Sequence, residues 1–139
     1  MNADEDDIVL VHDGARPLIT AEQIDFIISK VKKGTGCIAA VPAKDTIKVI
    51  NDEGQVVKTP NRKKLWQVQT PQGFCYKSLK DAYELAVLAR DNTITDDAMV
   101  VEKYGVDEIV VAKLDYDNIK ITTPEDLLFM KAILNHRER

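Results

Sequence analysis

The stretch Ile8-Val9-Leu10-Val11-His12-Asp13-Gly14-Ala15-Arg16-Pro17 decides how this chain reads. Four consecutive apolar residues describe a buried strand, and the strand ends in an acid, a glycine and an arginine. In open α/β sheets ligands bind outside the carboxyl ends of the strands. Asp13 and Arg16 are therefore placed to grip a hydroxylated anion. Side chains alternate along a strand, so His12 should turn away from Asp13 and act as a rim histidine rather than its catalytic partner. Taken alone, the same residues also fit an ordinary turn with a surface ion pair, which is worth little. A strand this apolar normally has neighbours on both sides, yet only Met1-Asn2-Ala3-Asp4-Glu5-Asp6-Asp7 precedes it. The expectation is a chain that begins in the middle of a sheet.

Downstream, Thr20 and Gln23 form a capping-box pair ahead of Ile24, Ile27, Ile28 and Val31, which share helical spacing, and Gly34 is placed to end that helix. Cys37-Ile38-Ala39-Ala40-Val41 reads as a second buried strand, completing a βαβ unit whose strands should be parallel. Thr46-Ile47-Lys48-Val49-Ile50, the turn Asn51-Asp52-Glu53-Gly54 and Gln55-Val56-Val57-Lys58-Thr59 form a hairpin with few large apolar groups. A lone hairpin is marginal in water, so this arm needs a body or a second subunit to lean on. A basic loop at 60–64 leads to a strand at 65–69. Thr70-Pro71-Gln72-Gly73-Phe74 reads as a turn before a helix from Lys77 to Arg90, with Ala82, Tyr83, Ala86 and Ala89 on its packed face. Thr95 should cap a short helix ending near Tyr104. Strands are expected at 108–112 and 118–121. Thr123, Pro124, Glu125 and Asp126 open a last helix whose stripe of Leu127, Met130, Ala132, Ile133 and Leu134 reads as core.

The 139 residues are 45% hydrophobic and 30% charged, with a net charge of −4. These are the proportions of a globular domain, expected here to be a single one over 1–139 with an arm at about 45–64. The acidic balance gives no basic field for nucleic acid. No apolar run approaches the ~20 residues of a membrane span. Cys37 and Cys75 lack metal-type spacing and read as reduced structural thiols of a cytoplasmic protein. His12 and His136 are too few and too far apart to suggest a metal site. Neither GxGxxG nor a P-loop motif occurs, and no Ser/His/Asp or Cys/His set suggests acyl transfer.

Candidate chemistry is therefore scattered. Lys120 alternates with Ile119 and Ile121 and can meet a phosphate as a point charge, or serve as a solvated edge-strand lysine. Thr46, Arg62, Thr70 and Thr95 offer three hydroxyls and a guanidinium, each with an ordinary structural explanation.

Together the pieces resemble a family. The segments Val11 to Pro17, Asp45-Thr46-Ile47-Lys48, Trp66 with Thr70 to Phe74, Thr93-Ile94-Thr95-Asp96-Asp97-Ala98, and Asn118-Ile119-Lys120-Ile121-Thr122 are similar in order and spacing to the 2-C-methyl-D-erythritol 4-phosphate cytidylyltransferases of the non-mevalonate isoprenoid pathway. The resemblance covers the later part of those enzymes. It implies an α/β, Rossmann-like nucleotidyltransferase sheet, partial and mostly parallel, with helices on both faces and a protruding β-hairpin arm exchanged in a homodimer. The implied reaction transfers CMP from CTP to methylerythritol phosphate with release of pyrophosphate, with Mg2+ held by the CTP phosphates. Residue by residue it implies that Asp13, Arg16, Thr46, Arg62, Thr70, Thr95 and Lys120 bind substrate. Lys120, Asp13 and Arg62 would be catalytic, and Gly14 would lie near the nucleotide ribose. No metal ligand is implied. The family's Gly-rich triphosphate loop is not among these residues, so the chain is expected to be inactive alone. A ribitol 5-phosphate cytidylyltransferase and a non-catalytic dimerisation or substrate-binding fragment are the competing readings.

Overall fold

The computed structural model describes residues 3–138. Met1, Asn2 and Arg139, the ends of the expected domain, lie outside the described residues. Strand β1 (Ile8–Val11) leads through the Asp13 turn to helix α1 (Ala21–Lys30), and strand β2 (Thr35–Pro42) returns. The short strands β3 (Val49–Ile50) and β4 (Val56–Lys58) make the hairpin, and β5 (Trp66–Cys75) runs directly into α2 (Tyr76–Ala89). Helix α3 (Asp97–Tyr104), strand β6 (Glu108–Lys113) and helix α4 (Pro124–Arg137) follow.

The four-stranded sheet has the order β1-β5-β2-β6. Strand β5 is antiparallel to both β1 and β2, while β2 and β6 are parallel. Strands β1 and β2 thus run the same way, as the βαβ reading expects, and three of the four strands share one direction. What sequence reading did not foresee is β5 lying between them. Among the described residues β1 is an edge strand.

Alternation along the strands splits the core in two, with helices on both faces. Val9, Val11, Ile38, Phe74 and Ile109 face α2 and α3. Leu10, Cys37, Ala39, Cys75, Val110 and Ala112 lie on the opposite side, with Ile27 and Val31 of α1. Gly73 makes the second contact possible. A Cβ there would stand 2.8 Å from a Leu10 methyl and 2.9 Å from a Val31 methyl. Both cysteines are free and buried, and burial pushes their thiols up from the ordinary value.

Several sequence expectations need correcting. Thr70 to Phe74 is not a turn but the middle of β5. Pro71 is tolerated in this inner strand because the ladder breaks there: Ile38 to Ala40 of β2 faces Gln72 to Val68 of β5, so the β5 side carries two extra residues. Residues 118–121 are not a strand but part of the loop after β6. Their backbone is satisfied by other loops instead of a neighbouring strand, as the Ile121 N–H bond to Ala15 O at 2.8 Å shows. Asp96, not Thr95, caps α3: its Oδ1 accepts the Met99 N–H at 2.9 Å, while the Thr95 hydroxyl is turned to Met99 Sδ. Helix α1 ends at Val31, leaving Gly34 (φ 80°) to the turn before β2. Tyr83 and Ala89 are exposed on α2, where Leu79, Ala82 and Ala86 form the packed face. The apolar stripe of α4 is not core: none of its described residues is buried, and Leu127 is 45% exposed. The capping box at Thr20/Gln23 and the Thr123 cap are present as expected, and Asp126 adds a second capping box by reaching back to the Thr123 N–H.

Candidate active site

The carboxyl end of β1 is built as an Asx turn. Asp13 Oδ1 accepts the Ala15 N–H at 2.9 Å, and Asp13 O accepts the Arg16 N–H at 2.9 Å. The Asp13 N–H is donated to Thr70 Oγ1 at 2.9 Å, across from β1 to the bulge in β5. The other carboxylate oxygen of Asp13 meets Lys120 Nζ at 2.9 Å. The Ala15 amide first, and then the Lys120 ammonium, hold the Asp13 carboxyl below the usual carboxylate range. Asp13 is therefore ionised at neutral pH and acts as an acceptor, not an acid. Partial burial pulls Arg16 down from its ordinary value while Asp13 opposes the shift. Two cations and one anion leave this rim with a net positive charge, a local field that the acidic average of the chain conceals.

Asn118 organises the loop that carries Lys120. Its side chain is fully buried. Nδ2 donates to Gln69 Oε1 at 3.1 Å and to Thr70 O at 2.9 Å. Its carbonyl accepts Arg16 Nη1 at 2.7 Å. Gln69 in turn donates to Asp115 O at 3.3 Å. The bulge in β5, the Asp13 turn and the loop after β6 are thus joined through a buried amide. Sequence reasoning missed Asn118 and Gln69. Assigning 118–121 to a strand hid the first, while the run of glutamines at 67, 69 and 72 around Thr70 was a usable signal for the second.

Gln72 is the third missed residue. Only 1% exposed, it donates to Asp96 Oδ2 at 2.9 Å and accepts the Ala98 N–H at 2.9 Å. That clamp holds the loop bearing Thr95 against β5, two residues along from Thr70. The Thr95 hydroxyl itself donates to Met99 Sδ at 3.5 Å.

Of the residues expected from sequence, the structure brings Asp13, Arg16, Thr70 and Lys120 into one cluster, with Thr95 on an adjoining loop. Gly14 is exposed at the tip of the turn, with nothing near enough to touch a Cβ. Thr46 and Arg62 are not joined to the cluster by any hydrogen bond or ion pair among the described residues. Arg62 donates to Lys44 O at 2.7 Å, at the root of the arm. That root is tied to the site loop by Tyr116, which donates to Pro42 O at 2.7 Å and lies under Lys44 Nζ at 3.8 Å. The root of the arm is therefore tied to the loop that carries Lys120. The apolar hollow on the outer face of α2, between Lys80, Tyr83, Glu84, Val87 and Leu88, offers no convergent polar set.

The same motifs carry a family assignment. A family model described as "IspD: 2-C-methyl-D-erythritol 4-phosphate cytidylyltransferase" matches residues 1–136. The chain belongs to this family. The 2-C-methyl-D-erythritol 4-phosphate cytidylyltransferase of Alkaliphilus oremlandii is 51% identical over 130 residues, covering 94% of this chain and 54% of that protein. Its counterpart in Lachnoclostridium phytofermentans is 45% identical over 134 residues, 96% of this chain and 58% of that protein. The crystal structure of 4-diphosphocytidyl-2C-methyl-D-erythritolsynthase from Anaerococcus prevotii superimposes with a TM-score of 0.83 at 39% identity, covering 92% of this chain and 58% of that chain. The chain thus spans little more than half the length of the curated relatives it matches. The family is one of nucleotidyltransferases, and the Rossmann-like α/β fold agrees with it. Among the described residues no helix is long and apolar enough to cross a membrane.

Proposed function

We propose that these residues form the polyol-phosphate side of a site that transfers a cytidylyl group from CTP to 2-C-methyl-D-erythritol 4-phosphate. The observation that carries the reading is the Asp13–Lys120 pair at 2.9 Å beside Arg16, at the carboxyl end of β1. Ionised Asp13 accepts hydrogen bonds from the polyol hydroxyls. Lys120 and Arg16 supply the positive charge that a phosphate monoester needs. In the reaction a substrate phosphate oxygen attacks the α-phosphorus of CTP, the bond to the β-phosphate oxygen breaks, and pyrophosphate leaves. Such chemistry is positioning plus charge neutralisation. Lys120 faces the reacting phosphates, Gly14 lies near the ribose, and Thr70 and Thr95 bound the substrate.

Magnesium belongs to this reading as an ion carried by the nucleotide phosphates. The side chains here do not fit a metal cage: among the described residues no three His, Cys, Asp or Glu side chains come together.

The arm exposes Ile50, Val56 and Val57 at 60–61%. In the proposed homodimer it leans on a second copy, where Thr46 and Arg62 reach the partner's substrate. The six glycines of the sequence form no phosphate-cradling loop, so we further propose that these 139 residues bind polyol phosphate without turning over CTP.

The test is calorimetric titration with methylerythritol phosphate and ribitol 5-phosphate, with and without CTP, alongside a pyrophosphate-release assay. Expected are binding of methylerythritol phosphate in preference to ribitol 5-phosphate, loss of that binding in D13N and K120M, and no pyrophosphate. Binding that ignores both substitutions would refute the site, preference for ribitol 5-phosphate would refute the substrate, and turnover would refute the inactivity.

A further inference from the structure

His12 sits outside every role given so far, yet its ring bridges the two loops of the candidate site. Nε2 lies 2.9 Å from Arg16 O, and Nδ1 lies 3.0 Å from Thr70 Oγ1. A carbonyl oxygen only accepts, so Nε2 must carry the proton. In the neutral imidazole Nδ1 is then a bare acceptor. The only proton it can take is that of the Thr70 hydroxyl.

The consequence falls on Thr70. A threonine hydroxyl has one proton and two lone pairs. One lone pair accepts the Asp13 N–H at 2.9 Å, and the proton goes to His12. A single lone pair remains on this half-buried side chain. Toward a ligand Thr70 can therefore only accept. It matches a hydroxyl group and not the phosphate of a monoester, which above its second pKa of about 6 is a dianion with no proton to give.

We propose that His12 is a positioning residue that makes Thr70 an acceptor, so that Thr70 reads a hydroxyl of the polyol and disfavours phosphate at that point. This rests on the polyol-phosphate reading of the site and adds a specificity device to it. Through the same two bonds His12 ties the Arg16 carbonyl to the bulge in β5. The substrate arginine, the Asp13 turn and Thr70 are thereby held in one arrangement. Sequence alternation correctly turned the His12 ring away from the Asp13 carboxylate. It did not reveal that the ring acts on the Asp13 turn through Thr70.

The test has two arms. Long-range 1H–15N correlation spectra at alkaline pH, with His136→Gln removing the other imidazole, read the tautomer of His12 directly. A proton on Nε2 is expected, with the Nδ1 resonance shifting in Thr70→Val. A proton on Nδ1 overturns the proposal whatever the chain binds. The second arm titrates methylerythritol phosphate and sulfate, a tetrahedral dianion with no proton to give, into wild type, His12→Phe and His12→Asn. His12→Phe should weaken methylerythritol phosphate about tenfold and leave sulfate unchanged or tighter, because the Thr70 proton is released. His12→Asn, whose Oδ1 can replace Nδ1 as acceptor, should recover most of the loss. Equal weakening of both ligands in His12→Phe, or no weakening of either, overturns the inference while the polyol-phosphate reading stands. A wild-type chain that binds no polyol phosphate overturns that reading and the role of His12 with it.

Discussion

Replacing Asn118 by alanine tests whether a buried amide, rather than strand pairing, holds the Lys120 loop over Asp13. The magnitude follows from the bonds. Truncation removes the donors to Gln69 Oε1 and Thr70 O and leaves both acceptors behind. A buried acceptor stripped of its partner costs ~1–3 kcal/mol. Gln69 is 6% exposed and takes the fuller cost, whereas half-buried Thr70 lies near the lower end. The Asn118 Oδ1 has no partner, so its removal adds nothing. The sum is a loss of roughly 2–4 kcal/mol. Urea unfolding followed by Trp66 fluorescence should show it as a midpoint lowered by about 1.3–2.7 M at an unchanged slope of ~1.5 kcal/mol/M. N118D sharpens the test by facing two carbonyl oxygens with a carboxylate. Its folded-state pKa is raised, so it should be less stable than N118A at neutral pH. It should recover as the pH falls through that folded pKa toward the unfolded value of ~3.9, because the protonated carboxyl regains a donor. A loss below ~1 kcal/mol in N118A, or an N118D variant as stable as wild type, would refute the reasoning.

Three further outcomes are expected. Gly73→Ala pushes a Cβ to 2.8–3.2 Å from methyls of Leu10, Val31 and Ile27. It should destabilise by about 1–2 kcal/mol after the unfolded-state gain is subtracted. Val31→Ala in the same chain should recover part of this, and a strictly additive double mutant in urea melts would disprove the contact. Asp91 is held well below the usual carboxylate range by the Thr93 hydroxyl and amide, with Lys103 and Tyr104 assisting. Its stabilisation is therefore complete above the unfolded carboxylate pKa of ~3.9 and lost as pH falls through the lower folded value. Asp91→Asn should flatten the acid limb of a stability–pH curve, and an unchanged limb would count against the assignment. Finally, Ile50→Lys with Val57→Lys should leave monomer stability within ~0.5 kcal/mol, since both side chains are exposed. Sedimentation should show the pair dissociating the proposed arm-mediated dimer, and a dimer that persists would place the contact elsewhere.

Helix caps and turns were readable because their chemistry closes within a few residues. Thr20 with Gln23, Thr123 with Asp126, and the Asn51–Gly54 turn each satisfy backbone groups three or four positions away. The β1 strand and its Asp13 turn were legible for the same reason, and so was the family resemblance carried by short ordered motifs. The errors lie where the partner is distant. Residues 70–74 look like a turn until a neighbouring strand is seen to accommodate Pro71 in a bulge. The stripe on α4 has the period of a core helix, but period cannot say whether a surface waits opposite, and its leucines are exposed.

The candidate site divides along the same line. Residue types marked Asp13, Arg16, Thr46, Arg62, Thr70, Thr95 and Lys120 as candidates, and only the family resemblance tied them to a polyol phosphate; Asp13, Arg16, Thr70 and Lys120 are the four that meet. Their convergence required folding. Arg16 and the Asn118 carbonyl are 102 residues apart in the chain, and no local rule links them. The insertion of β5 between β1 and β2 brings Thr70 to the Asp13 amide. The buried Asn118 side chain then draws the Lys120 loop onto the same spot. Local hydrogen bonding wrote the elements into the sequence, whereas long-range burial of polar groups, which must find partners or forfeit the fold, made them a site.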